Sequence, residues 1–206
     1  MIQTINSRET IRINNISIFY ITIFSFILLF ASSSAISDSQ NKLKIGDKAP
    51  TFYLKDIEGQ DFYLNDYCGE KLHRPWINNK KYVVIISFFA TWCKPCHEEI
   101  QILQKIYKQE QRDSLKVLLI DVAESKETVK SYIKKRNITF PVLFDKYKIV
   151  AENYFVTSLP NLFIIDKSGI IRMTKVGFAN GKNFELQLIK LINELSEDKD
   201  QQQNTK

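Results

Sequence analysis

The chain has 206 residues, 44% of them hydrophobic and 12% aromatic, with 6 Gly and 5 Pro, a profile that excludes a collagenous or low-complexity chain and wholesale disorder and favours one globular domain. Three cysteines exclude a disulfide-dense mini-scaffold, and a chain of this length buries a core without staples, so the cysteines become candidates for chemistry. Lys and Arg exceed Asp and Glu by 29 to 23; the lysines are scattered, with no basic stripe carrying interleaved aromatics, which argues against a nucleic-acid partner.

Residues 1–35 read as a signal peptide or N-terminal membrane anchor. Arg8 and Arg12 precede an uncharged run from Ile16 to Ala31 (ISIFYITIFSFILLFA), and the small residues Ser32 to Ala35 fit a cleavage site. The 16-residue run falls short of the ~20 residues that span a bilayer comfortably, which favours a cleaved export signal over anchoring through residues 16–31. Residues 36–43 are a polar tether.

The domain is expected over residues 44–195. Phe52 to Leu54 and Phe62 to Leu64 flank Gly59 and predict a hairpin. Residues 67–81 (YCGEKLHRPWINNKK) follow neither period and read as an inserted loop. Tyr82 to Phe89 (YVVIISFF) has the continuous apolar character of a central strand, and Ile100, Leu103, Ile106 and Tyr107 recur at helical spacing behind Pro95. A strand over Val117 to Val122, a helix over Lys126 to Arg136, a short run from Ile138 to Phe144 and a helix over Lys146 to Tyr154 follow. Two strands, Asn161 to Ile165 and Ile170 to Val176, are joined by the turn Asp166 to Gly169, and Phe184 to Leu195 closes with a helix. The alternation predicts an α/β sheet flanked by helices. The polar tail from 196 to 206 is expected to be disordered.

The central strand runs into Trp92-Cys93-Lys94-Pro95-Cys96, at the start of the amphipathic helix. Cysteine at a helix N-terminus meets unpaired backbone N–H groups and the positive end of the helix dipole, which stabilise a thiolate. Cys93 is therefore the candidate attacking sulfur, and Cys96, one turn on and more buried, the candidate resolving one. Pro95 suits a first helical turn because it has no N–H to leave unpaired. Competing readings are a structural disulfide and half of a zinc site, for which Cys68, His73 and His97 are the remaining ligands.

The Trp-Cys-Lys-Pro-Cys segment after a hydrophobic strand, with Leu159-Pro160 before a later strand, resembles the thioredoxin superfamily. The N-terminal hairpin, the segment Thr139 to Asp145 and the segment Leu159 to Gly169 resemble, within it, the exported TlpA/ResA-like thiol-disulfide oxidoreductases. The resemblance implies a thioredoxin-like fold, a central mixed sheet with an N-terminal β-hairpin extension. It implies that Pro160 is the family's cis-proline and that the Leu159 backbone pairs with an extended substrate peptide by strand addition. Glu99 matches the acid that ResA-like proteins keep near the cysteines, where it could relay the proton of Cys96; yet Glu98 and Glu99 would also be favoured near a helix N-terminus for dipole reasons alone. Trp92, Lys94 and Pro95 are supporting residues, although a solvated Lys94 does little for a neighbouring thiolate.

The sequence also departs from cytoplasmic thioredoxins. The position six before Cys93, a buried Asp in those proteins, is Ser87, so proton handling differs. His97 follows the cysteine pair and reads as a solvated helix residue. Cys68 leaves an odd count, read as a buried thiol, with a third redox cysteine or a metal contact with His73 as alternatives.

The function expected is exported reduction of specific protein disulfides, for example the haem-binding cysteines of apocytochromes c, at the periplasmic face of the inner membrane. No cofactor beyond the Cys93–Cys96 pair and no metal is expected, and the partners are protein thiols and disulfides and a membrane electron donor of thioredoxin-reducing type. A peroxiredoxin-like peroxidase would want Thr where Ala90 stands, three before Cys93. A metal-delivery module of the same superfamily would want a distant His, and none follows Gly169.

Overall fold

The computed structural model describes residues 42–70, 80–109, 114–179 and 181–197. The signal or anchor segment, the tether up to residue 41, His73 with the rest of residues 71–79, and the tail from 198 lie outside the described residues.

Strand β3 (Val83–Phe89) is buried along its whole length. It lies between β4 (Leu115–Val122), to which it is parallel, and β6 (Asn161–Ile165), to which it is antiparallel. Successive side chains point to opposite faces, so Val83, Ile85 and Phe89 enter one core while Val84, Ile86 and Phe88 enter another. Two covered faces explain why the sequence shows an unbroken apolar run here. Ser87, on the first face, is the polar exception.

The sheet has seven strands in the order β2-β1-β5-β4-β3-β6-β7, completed by β1 (Tyr53–Asp56), β2 (Asp61–Tyr63), β5 (Val142–Asp145) and β7 (Ile171–Val176). Helices α1 (Lys94–Gln109), α2 (Lys126–Arg136) and α4 (Gly181–Glu197) contribute Ile100, Leu103, Val129, Phe184 and Leu188 to the first core. The short α3 (Ile149–Asn153) and the hairpin cover the other face through Val150, Ala151 and Phe62. The hairpin turns at Gly59 (φ +91°), where the Asp56 carboxylate accepts the N–H groups of Glu58 and Gln60, and it pairs antiparallel with β5 through Lys55 and Asp56.

Several boundaries differ from the sequence expectation. The hairpin strands are shifted along the chain, and Leu64 leaves β2 for a 3₁₀ turn (Leu64–Asp66). The strand expected within Ile138 to Phe144 begins only after Pro141, which has no N–H for the ladder. Helix α3 starts at Ile149 because Lys148 is left-handed (φ 58°), whereas α4 continues to Glu197, two residues into the tail expected from Ser196.

The segment expected as an inserted loop begins inside the core. Tyr67 stacks on Phe62 at 4.6 Å, Cys68 is buried, and the Tyr82 N–H donates to the Tyr67 carbonyl at 2.7 Å, which ties the start of β3 to the start of that segment. Beside it the Gly69 N–H donates to the Lys167 carbonyl, and a Cβ on Gly169 would lie 2.8 Å from the Gly69 Cα. Gly169 also has φ +84°. Gly169→Ala is therefore expected to cost about 2–4 kcal/mol in thermal unfolding, from left-handed strain plus overpacking. An unchanged melting temperature would show that the two turns can separate freely.

Candidate active site

Helix α1 starts at Lys94, so Cys93 stands immediately before its first turn and Cys96 within it. The two sulfurs form a disulfide with Cα atoms 5.3 Å apart. The Cys96 N–H points at the Cys93 Sγ at 3.3 Å, an N-terminal amide directed at the sulfur that would carry thiolate charge on reduction. Cys93 keeps 4% exposure while Cys96 has none. Trp92 is 72% exposed beside it, and Lys94 and Pro95 are also exposed.

The Leu159–Pro160 peptide is cis. Asn161, the next residue, pairs with Phe88 near the end of β3, which brings Leu159 and Pro160 to the same end of the sheet as the cysteines. Pro160 is buried and its carbonyl accepts the Gly177 N–H at 2.8 Å; Leu159 is half-buried.

Glu99 follows Cys96 by one helical turn and is completely buried, whereas its neighbour Glu98 is exposed. The Ser87 hydroxyl donates to Glu99 Oε1 at 2.6 Å, and Oε2 has no hydrogen-bond partner among the described residues. Burial pushes the Glu99 carboxyl up to about 7, against the opposing pull of the Ser87 hydrogen bond and the Lys175 ammonium. A general preference for acids near a helix N-terminus explains an exposed carboxylate such as Glu98. It does not explain one taken out of water, so Glu99 is set apart from the dipole account. Ser87, which in sequence reads as the loss of a buried acid, is the partner of an acid brought in from α1.

Two residues sit differently from the sequence expectation. His97 is half-buried, not solvated: its Nε2 lies 2.8 Å from the Thr91 carbonyl and its Nδ1 3.2 Å from Arg136 Nη2. Cys68 belongs to the core on the opposite sheet face from Cys93 and Cys96, and burial raises its thiol to about 12, which leaves it without thiolate character at neutral pH. Among the described residues, no group of three His, Cys, Asp or Glu side chains is arranged to hold a metal.

Lys175 near Glu99 and the contact of Glu124 with Thr91 are not apparent from the sequence, because each joins residues far apart in the chain. The polar Ser87 within an otherwise apolar strand is a signal that a search for a buried polar partner could have used.

The AhpC/TSA family profile matches residues 45–174. The thiol-disulfide oxidoreductase ResA of Bacillus cereus is 30% identical over 155 residues, covering 71% of this chain and 83% of that protein. The thioredoxin-like protein YneN of Bacillus subtilis is 34% identical over 146 residues, covering 69% of this chain and 78% of its own length. Among solved structures, a thiol:disulfide interchange protein from a Bacteroides species superposes with a TM-score of 0.60 at 21% identity, covering 77% of this chain and 97% of that one, which shows the thioredoxin-like fold. The chain thus belongs to the AhpC/TSA and thioredoxin-like family and, within it, to the ResA-like thiol-disulfide oxidoreductases.

Proposed function

We propose that this enzyme is exported and reduces specific protein disulfides, with the paired haem-binding cysteines of apocytochromes c as its candidate substrate class. The observation that carries the reading is the asymmetry of the pair: Cys93 reachable at a helix N-terminus, Cys96 sealed one turn above a buried carboxyl near neutrality. In the reduced enzyme the Cys93 thiolate attacks one substrate sulfur, breaking the substrate S–S bond and releasing the other sulfur as a thiolate. Cys96 then passes its proton to the Glu99 carboxylate and attacks Cys93 Sγ. The mixed disulfide breaks, the second substrate sulfur departs and is protonated, and the Cys93–Cys96 disulfide closes. Two electrons have moved to the substrate, and a membrane dithiol donor of thioredoxin-reducing type returns them.

Leu159 and Pro160 would hold the substrate as an extended strand beside Cys93. Residues 1–35 support export, and the periplasm or the periplasmic face of the inner membrane is the compartment inferred from them.

The test is the equilibrium reduction potential of the full chain carrying C68S, measured against glutathione buffers. A value well below the glutathione poise supports a dedicated reductant; a value near ~−120 mV, as in strongly oxidising family members, reverses the direction of electron flow. A peroxidase reading is disfavoured by Ala90 in the place of Thr, and rapid hydrogen peroxide consumption by the reduced chain would restore it.

A further inference from the structure

Two residues before Cys93, Thr91 is held at three atoms. Its backbone N–H and its hydroxyl both donate to the Glu124 carboxylate, the hydroxyl at 2.6 Å, and its carbonyl faces His97 Nε2 at 2.8 Å. A guanidinium can only donate, so the contact of Arg136 with Nδ1 leaves the ring hydrogen on Nε2, where it goes to Thr91. Tyr132 stacks obliquely on His97 at 5.2 Å, beneath Arg136. The loop that carries Trp92 and Cys93 is thereby tied to α2 and to the end of β4.

Glu124 is itself placed by Asp121. Its N–H donates to Asp121 Oδ2 at 3.1 Å, and Ala123 between them takes a left-handed φ of 64°, a conformation a non-glycine residue adopts only where its surroundings impose it. The Glu124 carboxylate also adjoins the Asp121 carboxyl closely enough to raise it. Asp121 is fully buried, and its Oδ1 has no donor among the described residues. Two facing carboxyl oxygens with no donor between them are one proton short of a hydrogen bond.

We infer that Asp121 and Glu124 share a proton and together act as positioning residues for the active-site loop: singly protonated, the pair holds Thr91 and sets how Trp92 and Cys93 meet a substrate disulfide; doubly ionised, it releases Thr91. Asp121 cannot move away from a second charge, whereas Glu124 is half-buried and can turn to solvent. The groups acting on the pair are Asp145 from β5 and Tyr132 from α2, with His97 of α1 and Arg136 of α2 one contact further on, at the Thr91 carbonyl and at the His97 ring. Asp145 adds repulsion, and Arg136 is engaged by His97. Burial, opposed by the Glu124 N–H and reinforced by the Glu124 and Asp145 carboxylates, brings the Asp121 carboxyl up to about 7, so the change falls at neutral pH.

The inference rests on Cys93 being the attacking sulfur, and the experiment separates the two. In the full-length reduced chain two rates are followed from about pH 5.5 to 9: kcat/KM for insulin disulfide reduction, which needs the loop correctly set against a polypeptide, and alkylation of Cys93 by iodoacetamide, which needs only the thiolate. The ratio of the first to the second is expected to fall about tenfold in the wild type as pH rises through neutrality, since small displacements of a reacting group are costly. In D121N the new amide N–H replaces the shared proton permanently, and the ratio should stay at its low-pH value throughout. In E124Q an amide group confronts the two Thr91 donors, and the ratio should be low at every pH. A D121N ratio that falls in parallel with the wild type, or an E124Q ratio equal to that of the wild type, overturns the inference. C93A tests the underlying assignment on its own: insulin reduction that persists in it refutes Cys93 as the attacking sulfur.

Discussion

Cys96→Ala is expected to stop turnover at a mixed disulfide between Cys93 and its substrate, recoverable as a covalent complex that dithiothreitol releases. The reason is geometric. In the wild type, the sulfur that breaks the mixed disulfide is already one helical turn away within the same chain. Its removal leaves only external thiols, and with effective molarities of well-placed intramolecular groups reaching ~10⁵ M or more, release should slow by at least about 10³-fold. Cys93→Ala should instead abolish attack and trap nothing, because Cys96 has no exposure through which to replace it. Separation of both variants from an extract on non-reducing gels checks the order of the two cysteines, and complexes on Cys93→Ala alone would invert it.

Glu99→Gln separates catalysis from stability. The Glu99 carboxyl is raised to about 7 from the ordinary 4.5, so the folded protein retains a proton that the unfolded chain has released over that interval. The stability linked to this group is therefore complete below about pH 4.5 and is lost as pH rises through about 7, an effect of order 3 kcal/mol. The amide can still accept the Ser87 hydroxyl and never ionises. At pH 8, the variant should accordingly be more stable than the wild type, by about 1–3 kcal/mol, with a flatter dependence on pH. Its disulfide-reducing turnover should fall by about 10²-fold or more, as expected for the loss of a general base. Thermal unfolding and insulin reduction across the neutral range read both effects. If turnover is unaffected, Glu99 has no part in moving the Cys96 proton.

How much of this was legible in the sequence differs from residue to residue. β3 was legible because a strand covered on both faces leaves an uninterrupted apolar run, and α1 because one buried stripe recurs every three or four residues. Cys93 and Cys96 were legible because a C-x-x-C at a strand-to-helix junction brings its chemistry with it: three peptide units along one helical turn fix both the sulfur spacing and the N-terminal field. The left-handed Lys148 that delays α3 was not, because a lysine carries no local mark of a positive φ; nor was the extension of α4 to Glu197, where polar residues suit a helix end and a tail equally.

What sequence alone determined is the local part of the protein: the order of strands and helices, the redox pair and the helix that carries it. Only the tertiary structure decided which acids are taken out of water. Glu98 and Glu99 are adjacent and chemically equal in sequence, and burial against Ser87 of β3 makes one of them a carboxyl near neutrality while the other stays in water. His97 and Thr91 acquire their partners from Arg136 and Glu124, residues more than thirty positions away. The physical reason is that a titratable group takes its character from desolvation and from the charges and donors around it, quantities set by the packing of distant segments and by no short motif.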